Sequence, residues 1–301
     1  MTADKNQAET ALDALVAELH TRGRLRVWSL VITLFGDAIV PRGGKAGLSV
    51  LQAVMTRLGV GNGAVRTAMS RLAADGWVER EKSGRNSIYA LAASGRHAFD
   101  EATRRIYAAG PPEWDGRWTI AVALPSTSQD KREVALNASG FVCAGGNTWV
   151  RAETNAQPPL PDDLEGMLVV TSQAPAVPRK SDQFWQLADI AAAYDVLAER
   201  FARLGRSLVN GDRLQPLDAM AARTLLIHDW RRAVLHDPGL PAELLPDDWP
   251  GEKARVLVRS IYTKLAATSE SWLDDAGLPP LRDPAHFAER FGIQPPISLE
   301  P

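Results

Sequence analysis

The chain has 301 residues, 45% hydrophobic and 23% charged, which supplies a sizeable core and excludes wholesale disorder. One cysteine excludes a disulfide framework or a multi-cysteine metal site, and the longest apolar run, Val27 to Phe35, falls well short of the ~18 residues of a membrane helix. The net charge of −2 hides an asymmetry: residues 21–107 hold 14 Lys/Arg against 6 Asp/Glu, whereas residues 108–301 hold 19 against 26. A basic block on an acidic chain is the footprint of a nucleic-acid module joined to something else. The first residues, MTADKNQAET, carry no charged-then-apolar signal pattern, so a cytoplasmic protein is expected.

Residues 1–23 read as a short helix or a frayed tail. From Arg24 to Ile39, Leu25, Trp28, Ile32 and Phe35 recur at three- and four-residue steps and predict a buried helix. Pro41, Gly43 and Gly44 break it. A second helix is predicted from Leu48 to Leu58 and a third from Gly63 to Ala74, with Val65, Ala68, Met69 and Leu72 facing inward. Trp77–Glu81 and Ser87–Leu91 are two short strands joined by a turn at Lys82–Asn86. Three helices followed by a basic-tipped hairpin is the winged helix-turn-helix pattern, whose third helix enters the major groove. A further helix, Ser94 to Ala108, leads to a boundary at Gly110-Pro111-Pro112.

Beyond that boundary the pattern changes. Strands are predicted at Trp118–Leu124, across Phe141–Val150 and at Met167–Thr171, with a helix at Asp130–Ser139, which makes a small α+β domain. From Ser181 the chain reads as helical, over Phe184–Leu204, Leu217–Leu235 and Lys253–Leu273. The expected organisation is an α+β multidomain protein: tail 1–23, winged helix 24–110, α+β domain 111–178 and helical domain 179–301.

The third helix carries the sharpest chemistry. Its outer face presents Asn62, Arg66, Thr67, Ser70 and, at the edge, Arg71, residue types that hydrogen-bond bases and phosphates. The alternative is an ordinary solvated helix face. Arg85, at the hairpin tip, suits a backbone or minor-groove contact. GVGNG (Gly59 to Gly63) follows no strand and has no acid at the spacing a dinucleotide site needs, so it is read as a turn. His20, His97, His228, His236 and His286 show no metal spacing, and Cys143 is expected to be a buried strand residue. Trp28 and Trp77 are read as anchors of the first domain, Trp185 and Trp230 as anchors of the helical one.

LFGDAIVPRGG (Leu34 to Gly44), VRTAMSRLAADGWV (Val65 to Val78), SGRNSIYAL (Ser83 to Leu91), EWDGRW (Glu113 to Trp118) and LLIHDWRRAVLHDPGLPAELLPDDWPG (Leu225 to Gly251) resemble the PaaX family of bacterial transcriptional repressors. The resemblance runs from about Arg24 to Leu273. It implies a winged-helix reader of double-stranded operator DNA, a central ferredoxin-like domain similar to the CRISPR-associated Cas2 nuclease, and a helical C-terminal domain. It also implies repression of an aromatic or organic acid catabolic operon, with release from DNA by an acyl-CoA such as phenylacetyl-CoA, and no cofactor. The chain departs from the family pattern at two points. Asn86 stands where the wing usually carries a second arginine, and Lys45 stands where the glycine loop usually carries an acid.

A CoA thioester needs arginine or lysine for its phosphates and an aromatic-lined cavity for its acyl group. The helix with His228, Trp230, Arg231 and Arg232, together with Arg42 and Lys45 of the glycine loop, offers both kinds. A homodimer is expected, since one winged helix covers only a few base pairs. Three alternatives stand beside this reading: a Cas2-like nuclease, an acyl-CoA hydrolase through His228 and Asp229, and a nucleic-acid adaptor without a ligand. Against the nuclease, the first central strand ends Ala123-Leu124-Pro125 with no aspartate, and Asp130 lies in the next helix.

Overall fold

The computed structural model describes residues 6–83, 86–124, 129–160, 164, 166–173 and 184–292. The fold is α+β with two antiparallel sheets, and its contacts group the chain into two compact units. The first comprises residues 1–109, 194–235 and 253–301; the second comprises residues 110–193 and 236–252.

The first unit opens with α1 (Gln7–Thr21), a regular helix rather than a frayed tail. Asn6 caps it by accepting from the Glu9 amide at 2.9 Å, and Ala8, Ala11, Leu12, Leu15 and Leu19 form its buried stripe. The helix expected from Arg24 to Ile39 is shorter. It is α2 (Val27–Leu34), followed by one π turn at Phe35–Ile39 that carries Asp37 into the interior. Gly43 (φ 105°) and Gly44 (φ 73°) turn the chain into β1 (Lys45–Gly47), a strand too short to leave a periodic signal.

Next come α3 (Leu48–Arg57) and α4 (Asn62–Ala74), the latter burying Val65, Ala68, Met69 and Leu72. Gly76, at φ 73°, ends α4 where a side chain would be strained. Strands β2 (Val78–Ser83) and β3 (Asn86–Leu91) pair antiparallel with Arg80 opposite Tyr89, and β1 joins the far side of β3. Then follows α5 (Ala93–Ile106).

The centre of this unit is α8 (Pro216–Val234), buried along nearly its whole length and packed against α1, α2, α3 and α5. Leu225, Leu226, Ile227 and Trp230 are the core of that packing, each contributing roughly 1.5–3 kcal/mol by burial. From Tyr194 onward α7 (Leu187–Val209) belongs here, as do α9 (Gly251–Asp275) from Lys253 and α10 (Pro284–Ala288). A buried polar centre ties these segments together. Arg223 Nε donates to Asp37 Oδ2 at 2.7 Å and Arg290 Nη1 to Oδ1 at 3.0 Å, while the Tyr107 and Tyr262 hydroxyls donate to Oδ1 at 2.5 and 3.0 Å.

The second unit holds β4 (Trp114–Ala123), α6 (Gln129–Ala138), β5 (Val142–Gly145), β6 (Thr148–Thr154) and β7 (Met167–Gln173). The sheet order is β5-β6-β4-β7, with every pairing antiparallel. The single strand region expected at Phe141–Val150 is two strands around a Gly145-Gly146 turn. Alternation along β4 sends Ala121 and Ala123 to a core with Leu136, Phe141 and Trp149, and sends Trp118 to a core with Leu187, Leu240 and Leu244. Trp185 packs on this second core, so it anchors the sheet unit and not the helical bundle. Cys143 is exposed rather than buried, because β5 is an edge strand.

Candidate nucleic-acid interface

The outer face of α4 and the hairpin β2–β3 enclose one groove of about 620 Å³, lined among others by Gln52, Arg66, Ser70, Arg80, Ser87 and Tyr89. The inward stripe of α4 fixes which side of the helix looks out, and Arg66 and Ser70 follow from it. Across the groove, Arg80 of β2 donates from Nε and Nη2 to Ser87 Oγ of β3, at 3.2 and 2.8 Å. Among the described residues no carboxylate pairs with Arg66 or Arg80. The groove is therefore cationic and lined by hydroxyl groups. Gln52 on α3 adds an amide nitrogen that is buried without a hydrogen-bond partner.

Asn62, Thr67 and Arg71, also expected on this face, are exposed on α4 but do not line the groove. Thr67 turns its hydroxyl back to the Gly63 carbonyl at 3.1 Å, and Asn62 Oδ1 lies 3.4 Å from the Thr56 hydroxyl. Arg71 pairs with Asp75 at 3.5 Å and lies over the Trp28 ring at 5.6 Å. Arg85 lies outside the described residues. Asn86 is described only by its backbone, opposite Ser83. Arg80 and Ser87 were missed by the sequence reading. The signal was there in the hairpin, since period-2 alternation puts Arg80 and the partner of its opposite strand on one side, but their relation to α4 is tertiary.

Of the six residues expected to hold an effector, Arg42 and Lys45 are each engaged by carboxylates, and three of those on α8 are buried or half-buried. Arg42 is 3% exposed and bound by Glu270 and Asp274, both at 2.7 Å, and by the Pro279 carbonyl. Lys45 pairs with Glu81 at 2.8 Å in the first sheet. Trp230 is fully buried, its indole N–H donating to the Ile106 carbonyl at 2.7 Å.

His228 is buried, with Nδ1 3.1 Å from the Thr33 hydroxyl. Burial first, then the charges of Arg231, Arg232 and Arg200, push its pKa down to about 3. Arg231 donates to Ser29 Oγ at 2.7 Å. Asp229 pairs with Arg200 and with Arg22. His228 and Asp229 thus face different partners. Among the described residues no group of three or more His, Cys, Asp or Glu is arranged to hold a metal ion.

What the fold and the groove define is an α+β protein whose basic helix and hairpin converge on a cationic channel. Residues 26–95 match the model of the PaaX-like protein family, and residues 185–275 match that of the PaaX-like protein C-terminal domain. The chain is 32% identical over 266 residues to the transcriptional repressor PaaX of Escherichia coli (strain K12), covering 83% of each chain. It is similar in fold to the uncharacterized protein Rv0674 from Mycobacterium tuberculosis, with a TM-score of 0.55 and 20% identity over 81% of this chain and 97% of that one. The chain belongs to the PaaX family.

Proposed function

We propose that this protein is a transcriptional repressor that binds operator DNA with α4 in the major groove and the β2–β3 hairpin against the backbone. The observation that carries the reading is the convergence of Arg66, Ser70, Arg80 and Ser87 on one groove within the basic block. The order of helices and hairpin supports the winged-helix assignment, and the β5-β6-β4-β7 order supports the ferredoxin-like one. In this reading the domains along the sequence are 24–110, 111–178 and 179–301, after a leading segment 1–23, with much of the last grouped with the first. As a member of a repressor family the protein is a regulator and not an enzyme. Among the described residues no helix is long and apolar enough to cross a membrane.

The regulated genes belong to aromatic or organic acid catabolism, and the effector is an acyl-CoA of the phenylacetyl-CoA kind. It binds through His228, Trp230, Arg231 and Arg232 of α8, with Arg42 and Lys45 of the glycine loop in supporting positions. Calorimetry with a panel of aryl- and alkyl-acyl-CoAs tests this part, and binding of the free acids alone would sink it.

The DNA reading is tested by affinity for operator and scrambled duplex as a function of salt. Arg66→Ala is expected to cost about 1–3 kcal/mol on operator and to relax one base preference. Arg85→Ala is expected to weaken all sequences alike and to lower the salt slope by about one phosphate contact, and Asn86→Arg to steepen it. Unchanged affinities for Arg66→Ala and Arg85→Ala overturn the assignment.

A further inference from the structure

Strand β2 reads Val78-Glu79-Arg80-Glu81-Lys82-Ser83, with two acids and two bases that cancel along the sequence. The pleat separates them. Successive side chains point to opposite faces, so Arg80 stands on one side of the hairpin and Glu79 and Glu81 on the other. Glu81 is paired with Lys45 of β1 at 2.8 Å, which neutralises it. On the Arg80 side the groove is lined by Arg66 and by the hydroxyl residues Ser49, Ser70 and Ser87, and among the described residues by no acid.

Arg80 is also held differently from other arginines of its unit. Arg42, Arg57, Arg71, Arg200, Arg223 and Arg290 each pair with a carboxylate, which orients the guanidinium and cancels its charge. Arg80 is oriented by a hydroxyl. Its Nε and Nη2 donate to Ser87 Oγ, at 3.2 and 2.8 Å, from the adjoining strand. A neutral acceptor fixes the plane of the fork and leaves the whole positive charge in place. The residue is exposed, and among the described residues nothing accepts from its Nη1. The Nη1–Nη2 edge is therefore left to donate two parallel hydrogen bonds.

Such an edge matches two oxygens of a phosphate or the paired acceptors of a guanine. Position decides between them. A helix with its side chains is about 10–12 Å across and the major groove about 12 Å wide, so α4 fills the groove it enters. The sheet beside that helix is left with the sugar-phosphate backbone. Because the fork is already fixed, less side-chain freedom is lost on contact than for an untethered arginine. We propose that Arg80 binds a backbone phosphate of the DNA beside α4, and that Ser87 is its positioning residue. This rests on α4 being the DNA reader.

The test uses the full chain, a duplex that it enriches from a random pool, and a scrambled duplex, with affinities measured against salt. Arg80→Ala should weaken both duplexes alike, by about tenfold, and lower the salt slope by about 0.9, the share of one phosphate. Ser87→Ala keeps every charge, so affinity should fall several-fold with the slope unchanged, and Ser87→Thr should restore it. Single phosphates of the enriched duplex are then replaced by uncharged methylphosphonate. At one position the wild type should lose affinity and Arg80→Ala should lose none further. Circular dichroism checks each variant, and Arg80→Gln decides if Arg80→Ala does not fold. Wild-type affinity and slope in Arg80→Ala, with Arg66→Ala still impaired, overturns the proposal and leaves the repressor reading standing. A loss confined to the enriched duplex overturns it too, since Arg80 then reads a base. Wild-type affinity in Ser87→Ala overturns the role of Ser87. Enrichment of no duplex overturns the repressor reading, and the proposal with it.

Discussion

Asp37 is fully buried, yet it is held as a carboxylate. Burial alone would raise its pKa, but Arg223 and Arg290 outweigh burial and hold it below its ordinary 3.8. Asp37→Asn keeps the volume and leaves two buried guanidinium groups short of a counter-charge, an imbalance that costs about 3–5 kcal/mol. Urea unfolding at pH 7 should show a loss of that order. The wild-type advantage is fully present above pH 3.8 and is lost as pH falls through the lower, folded value, so the two proteins should converge in strong acid.

His228 gives a second pH dependence in a different window. Its pKa falls from 6.5 to about 3 on folding, so below pH 6.5 the unfolded chain takes up a proton that the folded chain refuses. Stability should therefore fall with acidification by up to about 1.4 kcal/mol per pH unit. Between pH 6.5 and 5 the wild type should lose about 1.6 kcal/mol more than His228→Gln. Equal losses in urea midpoints at the two pH values would show that the imidazole is hydrated.

Among the elements, α4 was legible because its four apolar residues are local and periodic, and the boundary residues agree to within one position. The hairpin was legible from its turn. The π turn was not, because its reason lies elsewhere: Asp37 is drawn inward by Arg223 and Arg290, which lie 186 and 253 residues away. Likewise His228, Trp230 and Arg231 stand close together on one helix, α8. Only the packing of α2 and α5 against α8 shows that Trp230 serves the core. The hairpin face that completes the groove with α4 was equally hidden, since strand alternation names a face but not what stands opposite.

The C-terminal turn has a share in the same centre. Arg290 stacks on Tyr107 at 4.0 Å, and the Phe291 ring meets Tyr107 and Tyr262 at 5.3 and 5.4 Å. Arg290→Ala breaks a buried pair and Phe291→Ala empties a core site, each costing about 3–5 kcal/mol. Because both act on Tyr107 and Tyr262, the double variant should lose less than the two single losses combined, and a double-mutant cycle measures the shortfall. Full additivity would mean that the two side chains stabilise separate parts of the fold.

At the scale of the whole molecule, a chain of net charge −2 must bring a basic block of under ninety residues to a polyanion. One helix in one major groove reads only a few base pairs, so a single copy gains little beyond the sequence-independent phosphate attraction. Two copies related by a two-fold axis double the base readout and place their helices about one DNA turn apart, or a multiple of it. A dimer of the 32.7 kDa chain is therefore expected by light scattering at micromolar concentration. Geometry supplies the sharper check. Inserting about half a turn of DNA between the operator half-sites puts the second half-site on the opposite face of the duplex, and affinity should fall to that of one half-site. Inserting a full turn keeps the faces aligned and should restore part of the loss, as far as the protein can span the added length. A monomer mass both free and on operator, together with equal affinity for all three spacings, would mean that a single copy does the reading.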